Sequence, residues 1–123
     1  MKKQNVILAL FSLTILLFII SCTKSAALSS QYNNFAKCLT DKGVKFYGAF
    51  WCSHCNNQKT MLGTSMQYVD YIECSTPDGQ GQTQVCPDAN IDSYPTWEFS
   101  GGSRIKGEMA LLQLSQKSGC SLS

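Results

Sequence analysis

Apolar positions along this chain follow three different patterns, and each predicts a different kind of element. Val6 to Ile20 (VILALFSLTILLFII) is an almost unbroken apolar run, followed by the small and polar stretch Thr23 to Ser30 (TKSAALSS), which reads as a tether. Tyr32, Phe35, Ala36 and Leu39 then fall at i, i+3, i+4 and i+7, one apolar face of a helix. Asp41-Lys42-Gly43 ends it, with Gly43 free to take the left-handed conformation of a helix stop. Val44 to Trp51 is a run of apolar, aromatic and β-forming residues that predicts a buried strand.

After Trp51 the pattern changes again. Ser53 to Leu62 (SHCNNQKTML) lacks β-branched clustering and predicts a helix starting beside Cys52, broken at Gly63, with a short turn over Thr64 to Tyr68. Tyr71 to Cys74 is a second short strand, and Ser75 to Gln84 (STPDGQGQTQ) is a loop rich in turn residues. A brief helix is expected over Val85 to Asn90, a third strand over Pro95 to Phe99, a tight turn at Gly101-Gly102 and a fourth strand over Arg104 to Lys106. The last helix is expected from about Glu108 to Ser118, with Met109, Leu112 and Leu114 as core contacts. Strands interleaved with helices imply a parallel component, and the Gly-Gly turn implies an antiparallel pair at the end. The expectation is an α/β, thioredoxin-like arrangement: a central mixed four-stranded sheet flanked by helices.

The first residues bear on the compartment. Met1-Lys2-Lys3 is a basic start, and the run behind it is shorter than the ~20 residues an ordinary membrane-spanning helix needs. Ile19-Ile20-Ser21-Cys22 resembles the bacterial lipobox, in which the peptide is cut before the cysteine and its sulfur is lipidated. The expected organisation is a signal peptide over 1–21, a lipidated Cys22 with a tether over 22–30, and one domain over 31–123. The alternative is an uncleaved anchor with an incidental cysteine. Both place the domain outside the cytoplasm, periplasmic or at the cell surface, and tethered to a membrane. Lys2 and Lys3 would leave with the signal peptide, and eight basic residues would face eight acidic ones. No basic stripe points to nucleic acid.

Export changes the reading of the cysteines. Of seven, Cys22 would carry lipid, leaving Cys38, Cys52, Cys55, Cys74, Cys86 and Cys120 in an oxidising compartment where thiols pair. Cys52 and Cys55 stand apart, because they form Cys-x-x-Cys at a strand-to-helix junction. There the unpaired backbone N–H groups and the helix dipole favour a negative sulfur, and the thiolate is the species that attacks a disulfide. Cys52 is the expected nucleophile and Cys55 the resolving thiol. Ser53 and His54 lie between them, and an imidazole N–H or imidazolium near Cys52 would stabilise the thiolate and make the disulfide more oxidising. Such exchange needs no organic cofactor. The other four cysteines allow three pairings. Cys74–Cys86 would close the Gly-rich loop, and Cys38–Cys120 would join the ends of the first and last helices.

Phe50-Trp51-Cys52-Ser53-His54-Cys55, followed by Tyr94-Pro95-Thr96-Trp97, resembles the two signature sites of the thioredoxin superfamily. The resemblance implies a cis-proline at Pro95 facing the reactive pair, with Trp51 and Tyr94 lining the substrate groove. FAKCL, GVKFYGAFWCSHC, YIECS, VCPDANIDSYPTW and the final LQLSQKSGC look more narrowly like the thioredoxin-like domain fused to bacterial and plant homologues of vitamin K epoxide reductase. That likeness covers roughly Phe35 to Cys120. It implies disulfide exchange with exported thiol- or disulfide-containing proteins and a separate, quinone-linked membrane partner of the vitamin K epoxide reductase type. One departure stands out: where many thioredoxins carry a buried aspartate six residues before the first cysteine, this chain has Phe46.

Three rival readings remain at this level. A lipid-anchored reductase or isomerase would use the same residues in the other direction, and the redox potential separates the reductase from an oxidase or isomerase. A zinc or copper site would use Cys52, Cys55 and His54, but there is one histidine and no second Cys-x-x-Cys. A binding module with every cysteine in a staple would trap no mixed disulfide.

Overall fold

The structure, a computed structural model, describes residues 31–122. The expected signal segment 1–21, the lipidation site Cys22 and the tether to residue 30 lie outside the described residues. Among those described, no helix is long and apolar enough to cross a membrane.

Helix α1 (Asn33–Asp41) buries Phe35, Ala36 and Leu39, the face its apolar spacing predicts. Gly43, at φ +71°, turns the chain directly into strand β1 (Lys45–Gly48). Helix α2 (Ser53–Leu62) follows, and Gly63 (φ +55°) leads it into a 3₁₀ segment, Gly63–Tyr68. Strand β2 (Asp70–Glu73), helix α3 (Val85–Asp88), strands β3 (Thr96–Glu98) and β4 (Arg104–Lys106) and helix α4 (Leu111–Ser118) complete the order. The strands lie as β2-β1-β3-β4: β1 runs parallel to β2 and antiparallel to β3, and β3 runs antiparallel to β4. This is the mixed four-stranded sheet of a thioredoxin-like α/β fold, and α2 with its 3₁₀ extension is the crossover that its parallel pair requires.

Because side chains alternate along a strand, β1 feeds two cores. Phe46 enters the larger one with Phe35, Leu39, Leu62, Trp97 and Leu114. In register it stands between Tyr71 and Trp97, stacked on the indole at 4.5 Å. Tyr47 enters the smaller one with Cys74, Cys86 and Ile91. A central strand covered on both faces has to be apolar on both, which is why the run reads as continuous.

Two stretches depart from expectation. The first strand stops at Gly48 rather than running on to Trp51, and Phe50 and Trp51 are half exposed. Their apolar character belongs to a surface and not to the core. The last helix starts at Leu111, because residues 107–110 are taken up in a connection to α2. Leu112 there is 59% exposed, whereas Met109 and Leu114 are buried.

Candidate active site

The Cys52-x-x-Cys55 pair sits where β1 hands over to α2. Cys52 has extended backbone (φ −76°, ψ 116°) and is the N-cap of the helix. Its sulfur accepts the backbone N–H of Cys55 at 3.2 Å, the role that a serine or aspartate oxygen plays at ordinary helix starts. The Cys55 thiol donates to the same sulfur across 2.7 Å, and the two are not bonded to each other. Cys52 therefore gathers two donors at the positive end of a ten-residue helix. Cys55 is fully buried. Burial first, then the hydrogen bond to Cys52, pushes its thiol up to about 12, against lowering pulls from the Ala49 backbone and, less, from Lys59. Burial thus leaves Cys55 to keep its proton, with the Cys52 sulfur as its hydrogen-bond acceptor.

Around the pair, Trp51 is exposed but held: its indole N–H donates to Ser75 Oγ at 2.9 Å, and its ring meets Tyr94 edge-on at 6.1 Å. The Tyr94–Pro95 peptide is cis, and Pro95 is buried at the entry to β3. Ser53 opens the first turn of α2 at the surface. His54 turns toward the connection before α4: its Nδ1 donates to Glu108 Oε1 at 2.5 Å, and Asn57 donates to the same oxygen at 3.3 Å. These two hydrogen bonds, His54 first, hold the Glu108 carboxyl below its ordinary range. The imidazole is thus tied to a carboxylate, and the cation that acts on Cys55 is Lys59.

The remaining four cysteines form the disulfides Cys38–Cys120 and Cys74–Cys86. The first joins the end of α1 to the chain beyond α4, where Lys42 Nζ also donates to the carbonyls of Ser118 and Gly119. The second closes the loop that carries Ser75 and Gln82, whose side chains reach Trp51 and the Tyr94 hydroxyl. Among the described residues, no group of three or more His, Cys, Asp and Glu stands together as metal ligands.

Two parts of the site escape sequence reasoning. Gln58 is fully buried: its Oε1 accepts from Met109 N (2.7 Å) and the Trp97 indole (3.3 Å), and its Nε2 donates to Met109 O (3.0 Å). It bolts the helix bearing the cysteines to β3 and to the segment before α4. The available signal was its spacing, since Cys55, Gln58 and Leu62 form the buried face of α2. The second part is the pair Tyr71 and Glu73, alternate residues and so on one face of β2, whose side chains hydrogen bond at 2.7 Å.

No family model matches the chain. It is similar to thiol-disulfide oxidoreductase LTO1 of Arabidopsis thaliana, with 40% identity over 106 residues, covering 81% of this chain and 28% of that protein. The chain thus spans under a third of the length of this relative. A solved structure of thioredoxin O2 from Arabidopsis thaliana in its oxidized state matches at a TM-score of 0.39 and 16% identity, covering 72% of this chain and 89% of the other.

Proposed function

We propose that this protein is a thiol-disulfide oxidoreductase acting through Cys52 and Cys55, and that it serves as a dithiol oxidase for exported proteins. The observation that carries the chemistry is the division of labour in the pair. Cys52 caps α2 with two donors on its sulfur, and Cys55 is a buried thiol pushed up to about 12. Likeness to a thiol-disulfide oxidoreductase across most of the chain supports the same class of reaction. A substrate thiolate attacks the Cys52–Cys55 disulfide at Cys52. A second substrate thiolate then displaces Cys52, leaving the substrate oxidised and the protein as a dithiol. Trp51 and Tyr94 beside cis-Pro95 supply an aromatic rim for the incoming chain. No cofactor is required for either step.

The rest of the proposal concerns setting. The lipobox-like Ser21-Cys22 supports a lipid anchor on the extracytoplasmic side of a bacterial membrane, with the domain periplasmic or at the cell surface. Reoxidation then falls to a quinone-linked membrane protein of the vitamin K epoxide reductase type. The opposite direction, a reductase or isomerase, is favoured by one observation: the His54 ring is held by Glu108.

The reduction potential of Cys52–Cys55 in the full-length chain separates an oxidase or isomerase from a reductase, measured by equilibration with glutathione and thiol alkylation. The expected value lies at about −120 to −180 mV, the range of oxidases and isomerases. A value near about −270 mV makes the protein a reductase.

A further inference from the structure

A buried resolving thiol raises a question of proton balance. Cys55 has to lose its proton before it can attack Cys52, yet it is fully buried, and the position six residues before Cys52 holds Phe46, which carries no base. The surroundings of Gly48 supply a route. A side chain at Gly48 would meet the Tyr71 ring edge (Cε2) at 3.0 Å and the Cys55 sulfur at 3.1 Å. The space left by the missing Cβ is therefore where Tyr71 and Cys55 converge, and a glycine is needed for that approach. The Tyr71 hydroxyl donates to Glu73 Oε2 at 2.7 Å. The other carboxylate oxygen accepts the backbone N–H groups of Ser75 (2.9 Å) and Phe50 (3.2 Å), which fixes Glu73 beside the turn that leads into Cys52. Lys59, one turn beyond Cys55, places Nζ 3.8 Å from the Tyr71 ring centroid and favours charge on Cys55.

We propose that Glu73 is the proton acceptor for Cys55, with the Tyr71 hydroxyl as the intermediary. Burial and the hydrogen bond to Glu73 raise the Tyr71 phenol well above its ordinary range, so the tyrosine passes a proton on rather than holding a charge. In the step itself, the Cys55 proton moves to the Tyr71 oxygen as the Tyr71 proton moves to Glu73 Oε2. The Cys55 thiolate then attacks Cys52 in its mixed disulfide. The Cys52–Cys55 bond forms, the bond from Cys52 to the partner sulfur breaks, and the partner leaves as a thiolate. The protein dithiol loses two electrons and the partner disulfide gains them. The titratable groups around this path are Cys52, Cys55 and Lys59 from α2 and Tyr71 on the strand that carries Glu73 itself.

This inference rests on the dithiol reading of Cys52 and Cys55, and the two can fail separately. The full-length reduced chain is mixed with glutathione disulfide, quenched by rapid alkylation and weighed, which resolves the Cys52 adduct from the closed disulfide. A C55S variant that forms no glutathione adduct at Cys52 sinks the dithiol reading. For the relay, E73Q and Y71F are expected to form the adduct at the parent rate but to close it at least tenfold more slowly at pH 7. The deficit should shrink as pH rises toward 10 and hydroxide replaces the lost base. Y71F removes one oxygen only and keeps the test open if E73Q does not fold. Closure within twofold of the parent at every pH overturns the proposal. So does a loss that stays constant with pH, which is the signature of a merely structural role.

Discussion

At the scale of single residues, the site depends as much on a neutral side chain as on its two sulfurs. Gln58 satisfies a backbone N–H, a carbonyl and an indole N–H of buried residues, and leaving a buried polar group unpaired costs about 1–3 kcal/mol each. Gln58→Leu keeps the volume and removes all three partners. The expected loss is about 3 kcal/mol or more, read as a lower urea midpoint at an unchanged slope. A midpoint shifted by less than a third of that would mean the segment before α4 re-pairs on its own. Much of the site was legible in the sequence, because Cys-x-x-Cys beside a helix start and Tyr-Pro before a strand are local patterns. Gln58, Glu73 and Glu108 were not. Each acts on groups far along the chain: Gln58 on Met109, Glu73 on Phe50, Glu108 on His54. Composition carries no trace of such pairings.

At the scale of elements, α2 has the bounds its sequence predicts, Ser53 to Leu62, because a cap at one end and Gly63 at the other are sequence-local stops. The apolar run predicts too long a first strand, because apolar residues left at the surface look the same in sequence as apolar residues buried for stability. Phe50 and Trp51 belong to the first kind. Their support comes from the loop between Cys74 and Cys86: Gly79 lies against both rings, and Ser75 holds the indole. Closing a loop of this length contributes about 3 kcal/mol in the chain-entropy model. The C74A/C86A double variant should lose about that much stability in denaturant titration. It should also free Trp51 from Ser75, so that indole fluorescence shifts toward the solvent-exposed value and KM for a dithiol peptide rises more than kcat falls. An unaltered Trp51 emission would show that the hydrogen bonds of Thr83 to Glu73 and Cys74 hold the loop without the disulfide.

At the scale of the whole molecule, folding and redox state are linked through the buried thiol. In the folded dithiol form Cys55 is pushed up to about 12 by burial and by its hydrogen bond to Cys52, against an ordinary value of 9.0. As pH rises, the unfolded chain gives up this proton first, so proton binding favours the folded state only while the pH is low enough. The stabilisation is fully present below pH 9 and is lost progressively between about pH 9 and about pH 12. The disulfide form has no such proton to lose. Tyr71, whose phenol is also raised, titrates in both forms and largely cancels in the comparison. The denaturant midpoint of the reduced protein should therefore fall relative to that of the oxidised protein as pH climbs through 9, and the reduction potential should shift to favour the disulfide. A C55A variant should show no extra sensitivity to alkali beyond that of the oxidised parent. If the reduced and oxidised midpoints instead run parallel from pH 7 to 10.5, burial does not hold the Cys55 proton, and the thiol opens to solvent before it reacts.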